Sequence, residues 1–114
     1  MSESQESIIR YHAKVTSGGR IIIPDITRRI LGIKKGNIVK LKVSKVDSVK
    51  EKEKRVIIRT GPEVIFEAKV GSRGLITIPD KARELLKISD GDYVEVELLD
   101  YKPATLGLIE FLRT

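Results

Sequence analysis

The sequence has no cysteine and no tryptophan, a single histidine, and aromatic residues at only 4% of its length. Without cysteine there are no disulfides and no thiolate-bound metals, which suits a reducing compartment. With so few aromatics, the core must be aliphatic. The lone His12 has no triad or metal partner nearby in sequence, and reads as an exposed strand residue. No apolar run approaches the roughly 20 residues of a membrane span. The opening MSESQES is polar and lacks a signal-peptide core. The expected location is the cytoplasm. There is no phosphate-binding loop, no CxxC and no metal-ligand spacing. Ser17 and Ser72 sit in glycine turns without a neighbouring base, so they read as turn-formers. No cofactor, no metal and no enzymatic activity are expected.

What the chain does have is itself, twice. Ala13–Ile33 reads AKVTSGGRIIIPDITRRILGI and Ala68–Ile88 reads AKVGSRGLITIPDKARELLKI, 55 residues later. Tyr11–Val43 aligns on Phe66–Leu98 without a gap, and 14 of the 33 positions are identical. They include Gly19/Gly74, Ile21/Ile76, Ile23/Ile78, Pro24/Pro79, Asp25/Asp80, Arg28/Arg83 and Gly36/Gly91. A chain of 114 residues fits one domain, whereas a repeat of about 50 is near the limit for a self-sustaining core. The two copies are therefore expected to share one core.

Each copy reads as ββαββ. In copy one, Ile8–Val15 is extended, Ser17-Gly18-Gly19 turns, and Arg20–Ile23 is a second strand, the pair forming a hairpin arm. Pro24 ends the strand, and Asp25 places negative charge at the start of a short helix over Asp25–Leu31. Ile26 and Ile30 share one face of that helix, and Gly32 closes it. Ile38–Val46 alternates as a half-buried strand. Asp47–Lys54 reads as a charged loop, Arg55–Thr60 as a fourth strand, and Gly61-Pro62 as its breaker. Copy two repeats the order, with a helix from Asp80 to about Lys87 that turns Ala82, Leu85 and Leu86 inward. Tyr93–Leu99 is its long strand and Leu106–Leu112 its last. That makes about eight strands and two short helices, a mainly β fold.

The net charge is +6, but it is unevenly held. Tyr11–Lys45 carries nine Lys or Arg and one acid; Phe66–Asp100 carries five against eight. A cationic half of this kind points to a polyanion.

The run of Lys-Val, glycine turn, strand, Ile-Pro-Asp, Arg-bearing helix, Gly-Ile or Lys-Ile, and Gly-Asn or Gly-Asp before an alternating strand resembles the AbrB/SpoVT family. These are swapped-hairpin DNA-binding domains of transition-state regulators and MazE-type antitoxins. The resemblance implies a pseudo-twofold swapped-hairpin β-barrel in which one chain supplies both halves of a dimer. Residues 1–7 are then a disordered tail and 8–114 a single pseudo-dimeric barrel, with copy one at about 8–60 and copy two at about 64–113. It implies double-stranded DNA as partner, no membrane, and a monomeric pseudo-dimer that is free to self-associate further. The DNA-binding residues it implies are Lys14, Arg20, Arg28 and Arg29 in copy one and Lys69 and Arg83 in copy two. Arg73, opposite Gly18, is added because Leu75 stands where Arg20 does and Glu84 where Arg29 does. Reversing Arg28 and Arg83 to Glu is expected to abolish binding and leave the fold intact.

The repeat offers its own evidence. Lys14/Lys69 and Arg28/Arg83 stay basic in both copies, whereas Lys35/Asp90, Lys40/Glu95 and Lys42/Glu97 reverse sign. These three pairs read as lying off the DNA face; Arg29/Glu84 also reverses. If the long strands meet across the pseudo-twofold, Lys40 and Lys42 face Glu95 and Glu97. The alternative functions are a MazE-like antitoxin and a barrel serving only as a protein-interaction module.

Overall fold

A computed structural model describes residues 6–103. The elements in chain order are β1 (Ile9–Lys14), β2 (Arg20–Ile22), α1 (Asp25–Leu31), β3 (Ile38–Glu51), β4 (Lys54–Lys69), β5 (Leu75–Thr77), α2 (Asp80–Leu86) and β6 (Tyr93–Lys102). The fold is mainly β with two short helices. Strands β1-β6-β3-β4 form one antiparallel sheet, and β2 and β5 form a separate ribbon. These two ladders are not joined into a closed barrel. The expected strand at 106–112, and residues 1–5 of the expected tail, lie outside the described residues.

Strand pairing crosses between the copies. Ala13 of β1 lies opposite Val94 of β6, and Ala68 of β4 opposite Val39 of β3. Adding 55 to 13 and to 39 gives 68 and 94, so the two ladders are one pairing written twice. The self-matching positions mark the axis relating them. Ile21 lies opposite Ile76 in the ribbon, and Lys42 opposite Glu97 between β3 and β6. The expected hairpin of residues 8–23 is therefore corrected. Its two strands pair only at the Thr16↔Arg20 bridge, and each takes its ladder from the other copy.

The core lies where the copies meet. Ile21, Ile76, Ile78, Val39, Leu41, Val43, Val94 and Val96 are fully buried in one aliphatic cluster. Burial of a side chain of this kind contributes about 1.5–3 kcal/mol. The rest of that cluster, including Val15, Val70, Ile33 and Ile88, also comes from both copies, so neither half holds a core of its own.

Three expectations about local structure are corrected. Asp47–Lys54 is not a loop: β3 runs to Glu51 and β4 starts at Lys54, with Glu51 opposite Lys54. The strands at 55–60 and 64–70 are one strand. Register jumps from Ser44↔Glu63 to Lys45↔Thr60, so Gly61 and Pro62 are accommodated as a bulge. Proline is tolerated there because β4 is an edge strand and its missing N–H breaks no ladder. This merger, with 106–112 undescribed, leaves six strands where about eight are expected. In the helices, Ile26, Ile30 and Leu85 face outward at 64%, 74% and 61% exposure, while Thr27, Ala82 and Leu86 are buried.

The charge pairing expected across the axis holds at one position of two. Glu97 is only 4% exposed, between Arg10 of β1 and Lys42 of β3. Its carboxylate lies 3.6 Å from Lys42 Nζ and 3.3 Å from an Arg10 guanidinium nitrogen, and accepts a hydrogen bond from Ser7 Oγ. Burial pushes the carboxyl pKa up, but the Ser7 hydrogen bond and the charges of Lys42 and Arg10 outweigh it and hold it below the usual value. Lys40 does not meet Glu95. A bulge between Lys40 and Leu41 sets Lys40 opposite Asp100, and Glu95 lies opposite Ser44 and His12.

Candidate nucleic-acid interface

The β2–β5 ribbon alternates. Ile21 and Ile76 point into the core, while Arg20, Ile22, Leu75 and Thr77 lie on the outer side. Each strand is entered through a glycine turn, and each turn carries the arginine of the other copy's helix. Arg28 Nε donates to Ile23 O at 2.9 Å, and Arg83 Nε to Ile78 O at 3.1 Å. Their terminal nitrogens pair with Asp25 and Asp80 at the starts of the same helices. A Cβ on Gly74 would overlap Arg28 Nε, and one on Gly19 would fall 2.5 Å from Arg83 Cδ. The backbone follows the same exchange: Ile23 N donates to Gly74 O at 3.0 Å, and Ile78 N to Gly19 O at 2.9 Å.

Arg28 and Arg83 are thus part of the joint between the copies, with side chains only 22% and 29% exposed. Their reversal to Glu removes the hydrogen bonds to Ile23 O and Ile78 O, so the expectation that the fold stays intact is withdrawn. The other five cations stand freer. Arg29 is 77% exposed and pairs with Asp25 at 2.9 Å. Lys14, Arg20, Lys69 and Arg73 are exposed and make no side-chain ion pair among the described residues.

The cross-copy joint brings these groups together. Arg73 lies in the turn that packs on Arg28, and Arg20 follows the turn that packs on Arg83. Arg20 and Lys69 line one groove of about 540 Å³, with one acid, Glu67, and with Ala68, Gly71, Ser72, Leu75 and Thr77. Lys14, the counterpart of Lys69, ends β1 just before the copy-one turn. Six of the seven cations named from the sequence therefore lie at or next to the two turns and the ribbon between them, whereas Arg29 lies along α1 with Asp25.

Arg73 is held at φ 57°, in the left-handed region, inside a single 3₁₀ turn over Ser72–Gly74. For a residue with a Cβ this costs about 1–2 kcal/mol. Arg73→Gly relieves that strain and is expected to raise stability by about 1 kcal/mol in denaturant unfolding. The same change is expected to weaken DNA binding, as befits strain kept for a functional side chain.

One residue that matters here is missing from the set named above. Asp90 Oδ1 and Oδ2 accept hydrogen bonds from Gly19 N and Gly18 N at 3.1 and 3.2 Å. The Lys35/Asp90 reversal thus borders this surface and does not lie off it. The sequence does show the reversal, but the turn that Asp90 holds is 71 residues away along the chain, and that distance hides the partnership.

Among the described residues, no group of three or more His, Cys, Asp or Glu is placed to hold a metal ion, and no helix is long and apolar enough to cross a membrane. No protein-family model and no curated protein matches the chain. A solved structure does: the solution structure of PHS018 from Pyrococcus horikoshii is 33% identical, with a TM-score of 0.67, over 86% of this chain and 96% of that one. At that identity and coverage, the chain belongs to the same family as the Pyrococcus horikoshii protein.

Proposed function

We propose that the chain is a double-stranded DNA-binding regulator of the AbrB/SpoVT type, acting in the cytoplasm, whose two repeats play the parts of two subunits. On this reading the sheet and the ribbon are walls of a swapped-hairpin barrel completed within one polypeptide. The observation that carries the reading is the exchange of strands and helix arginines between copies, which sets Arg20, Arg28, Lys69, Arg73 and Arg83 at the ribbon and its two turns; Lys14, at the end of β1, and Arg29, on α1, complete the proposed surface. Exposed cations along such a surface suit phosphate contacts, which position a duplex, and on this reading one or two of the arginines reach base edges.

The test uses cations that the fold does not need. Arg20→Ala, Lys69→Ala and Arg73→Ala combined are expected to lower affinity for duplex DNA roughly 100-fold at low salt. The salt slope is expected to become shallower by about 3, near one unit for each phosphate no longer neutralised. The thermal midpoint stays within a few degrees. Unchanged affinity and slope in this variant remove the assignment.

A second reading, a protein-interaction module, is favoured by the outward Ile26, Ile30 and Leu85 on the helices. It gains if the wild-type protein retards no duplex at low salt.

A further inference from the structure

Two depressions flank the helices at matching places. One is lined by Asp25, Arg28, Arg29, Gly32, Ile33 and Lys34; the other by their counterparts 55 positions on, Asp80 to Ser89. The geometry is shared but the charge is not. The first holds three cations and one acid; the second holds Arg83 and Lys87 against Asp80 and Glu84.

The glycine turns beside them differ more. The loop carrying Asp90 and the loop carrying Lys35 are docked by the same backbone bonds. Gly91 N donates to Val15 O at 2.7 Å, and Gly36 N to Val70 O at 2.8 Å. Val15 N donates to Asp92 O and Val70 N to Asn37 O, both at 2.8 Å. Lys35 therefore stands toward the Arg73–Gly74 turn as Asp90 stands toward Gly18–Gly19. In the copy-one turn the two N–H groups already hold a carboxylate. In the copy-two turn the matching residue is an ammonium, Gly18 is replaced by Arg73, and Glu84 is replaced by Arg29. Gly74 N also turns back on Gly71 O at 3.3 Å, as Gly19 N does on Thr16 O at 3.0 Å, so this local bond is common to both.

We propose, resting on the DNA-binding reading, that a backbone phosphate seats at the copy-two turn and not at the copy-one turn. The seat comprises the N–H groups of Arg73 and Gly74 and the side chains of Lys35, Arg73 and Arg29. Asp90 fills the equivalent place in the other half with an anion of the protein's own. A duplex is then held in one orientation, so a nearly symmetric molecule reads a non-palindromic site.

Titration of the full chain with inorganic phosphate, followed by amide NMR, tests the seat directly. The Arg73 and Gly74 amides are expected to shift and those of Gly18 and Gly19 to stay. Asp90→Lys takes the carboxylate from the copy-one pair and supplies the missing cation, so that pair then shifts, and Lys35→Asp silences the copy-two pair. Equal shifts at both turns, or none at either, overturn the proposal. Lys35→Asp is also expected to weaken duplex binding about tenfold. Orientation is read with a duplex selected from a random pool. The cysteine-free chain accepts a single tethered cleavage reagent at Ser17→Cys or Ser72→Cys. Each variant is expected to cut at one end of the duplex, the two at opposite ends; cutting at both ends by either contradicts a fixed orientation. A protein that shifts with phosphate yet retards no duplex keeps the seat and loses the DNA reading.

Discussion

Glu97→Lys is expected to destabilise the protein by about 3 kcal/mol, the low end of the range for breaking a buried ion pair, because Lys42 remains a quarter exposed. The change sets two ammonium groups opposite each other on the axis, beside Arg10, and strips Ser7 of its acceptor. In a symmetric dimer this position meets its own copy, so lysine would face lysine, or glutamate glutamate. The reversal between repeats turns an unavoidable repulsion into a pair. Adding Lys42→Glu to Glu97→Lys is expected to recover about 1 kcal/mol or more, within the range of coupling between touching residues. Recovery is partial, since the Arg10 guanidinium then faces an ammonium where it now faces a carboxylate. Additive losses in this double-mutant cycle would show that the two side chains do not interact. Acid acts on the same group. Its folded-state pKa lies below the unfolded one, so its stabilisation is complete above the ordinary carboxylate range and is lost as pH falls through the folded value.

The second large effect is at Gly74. Its φ of 77° costs any side chain about 1–2 kcal/mol, and a Cβ there would meet Ile23 O at 2.9 Å as well as Arg28. The carbonyl is held by the hydrogen bond from Arg28 Nε and by Ile23 N bonding to Gly74 O, so overpacking adds about 1–3 kcal/mol. Gly74→Ala is expected to cost about 3 kcal/mol in denaturant unfolding. Gly36→Ala serves as control: φ is 93° but nothing lies within 4 Å, so only the backbone contribution of about 1 kcal/mol is expected. Equal losses at the two positions would contradict the account of the Arg28–Gly74 joint.

The repeat made the punctuation of this fold readable. Asp25–Leu31 is the helix the sequence pattern predicts, and Gly32 ends it at φ 72°. The facing of that helix was harder. Ile26/Ile30 and Thr27/Leu31 are adjacent stripes only about 100° apart, and hydropathy favours the wrong one. The second copy holds the answer: Lys81 matches Ile26, whereas Ala82 and Leu86 match Thr27 and Leu31. The long β3–β4 hairpin was hidden because charged residues at 50–55 look alike in a loop and in a two-faced exposed ribbon. Cross-copy pairing is a matter of which partner a strand chooses, and periodicity within a strand is silent on that. Of the cations of the candidate surface, Lys14/Lys69 and Arg28/Arg83 stood out by their preserved sign, whereas Arg20, Arg29 and Arg73 were named only through the family resemblance. The structural duty of Arg28 and Arg83 was not legible, because it depends on glycines 46 and 64 residues away in sequence.

A salt series on the wild-type protein with duplex DNA tests the central claim most directly. About six phosphates neutralised by this surface predict that log K falls with log salt at a slope of roughly −5. A slope near zero, or no retardation of any duplex at low salt, contradicts it.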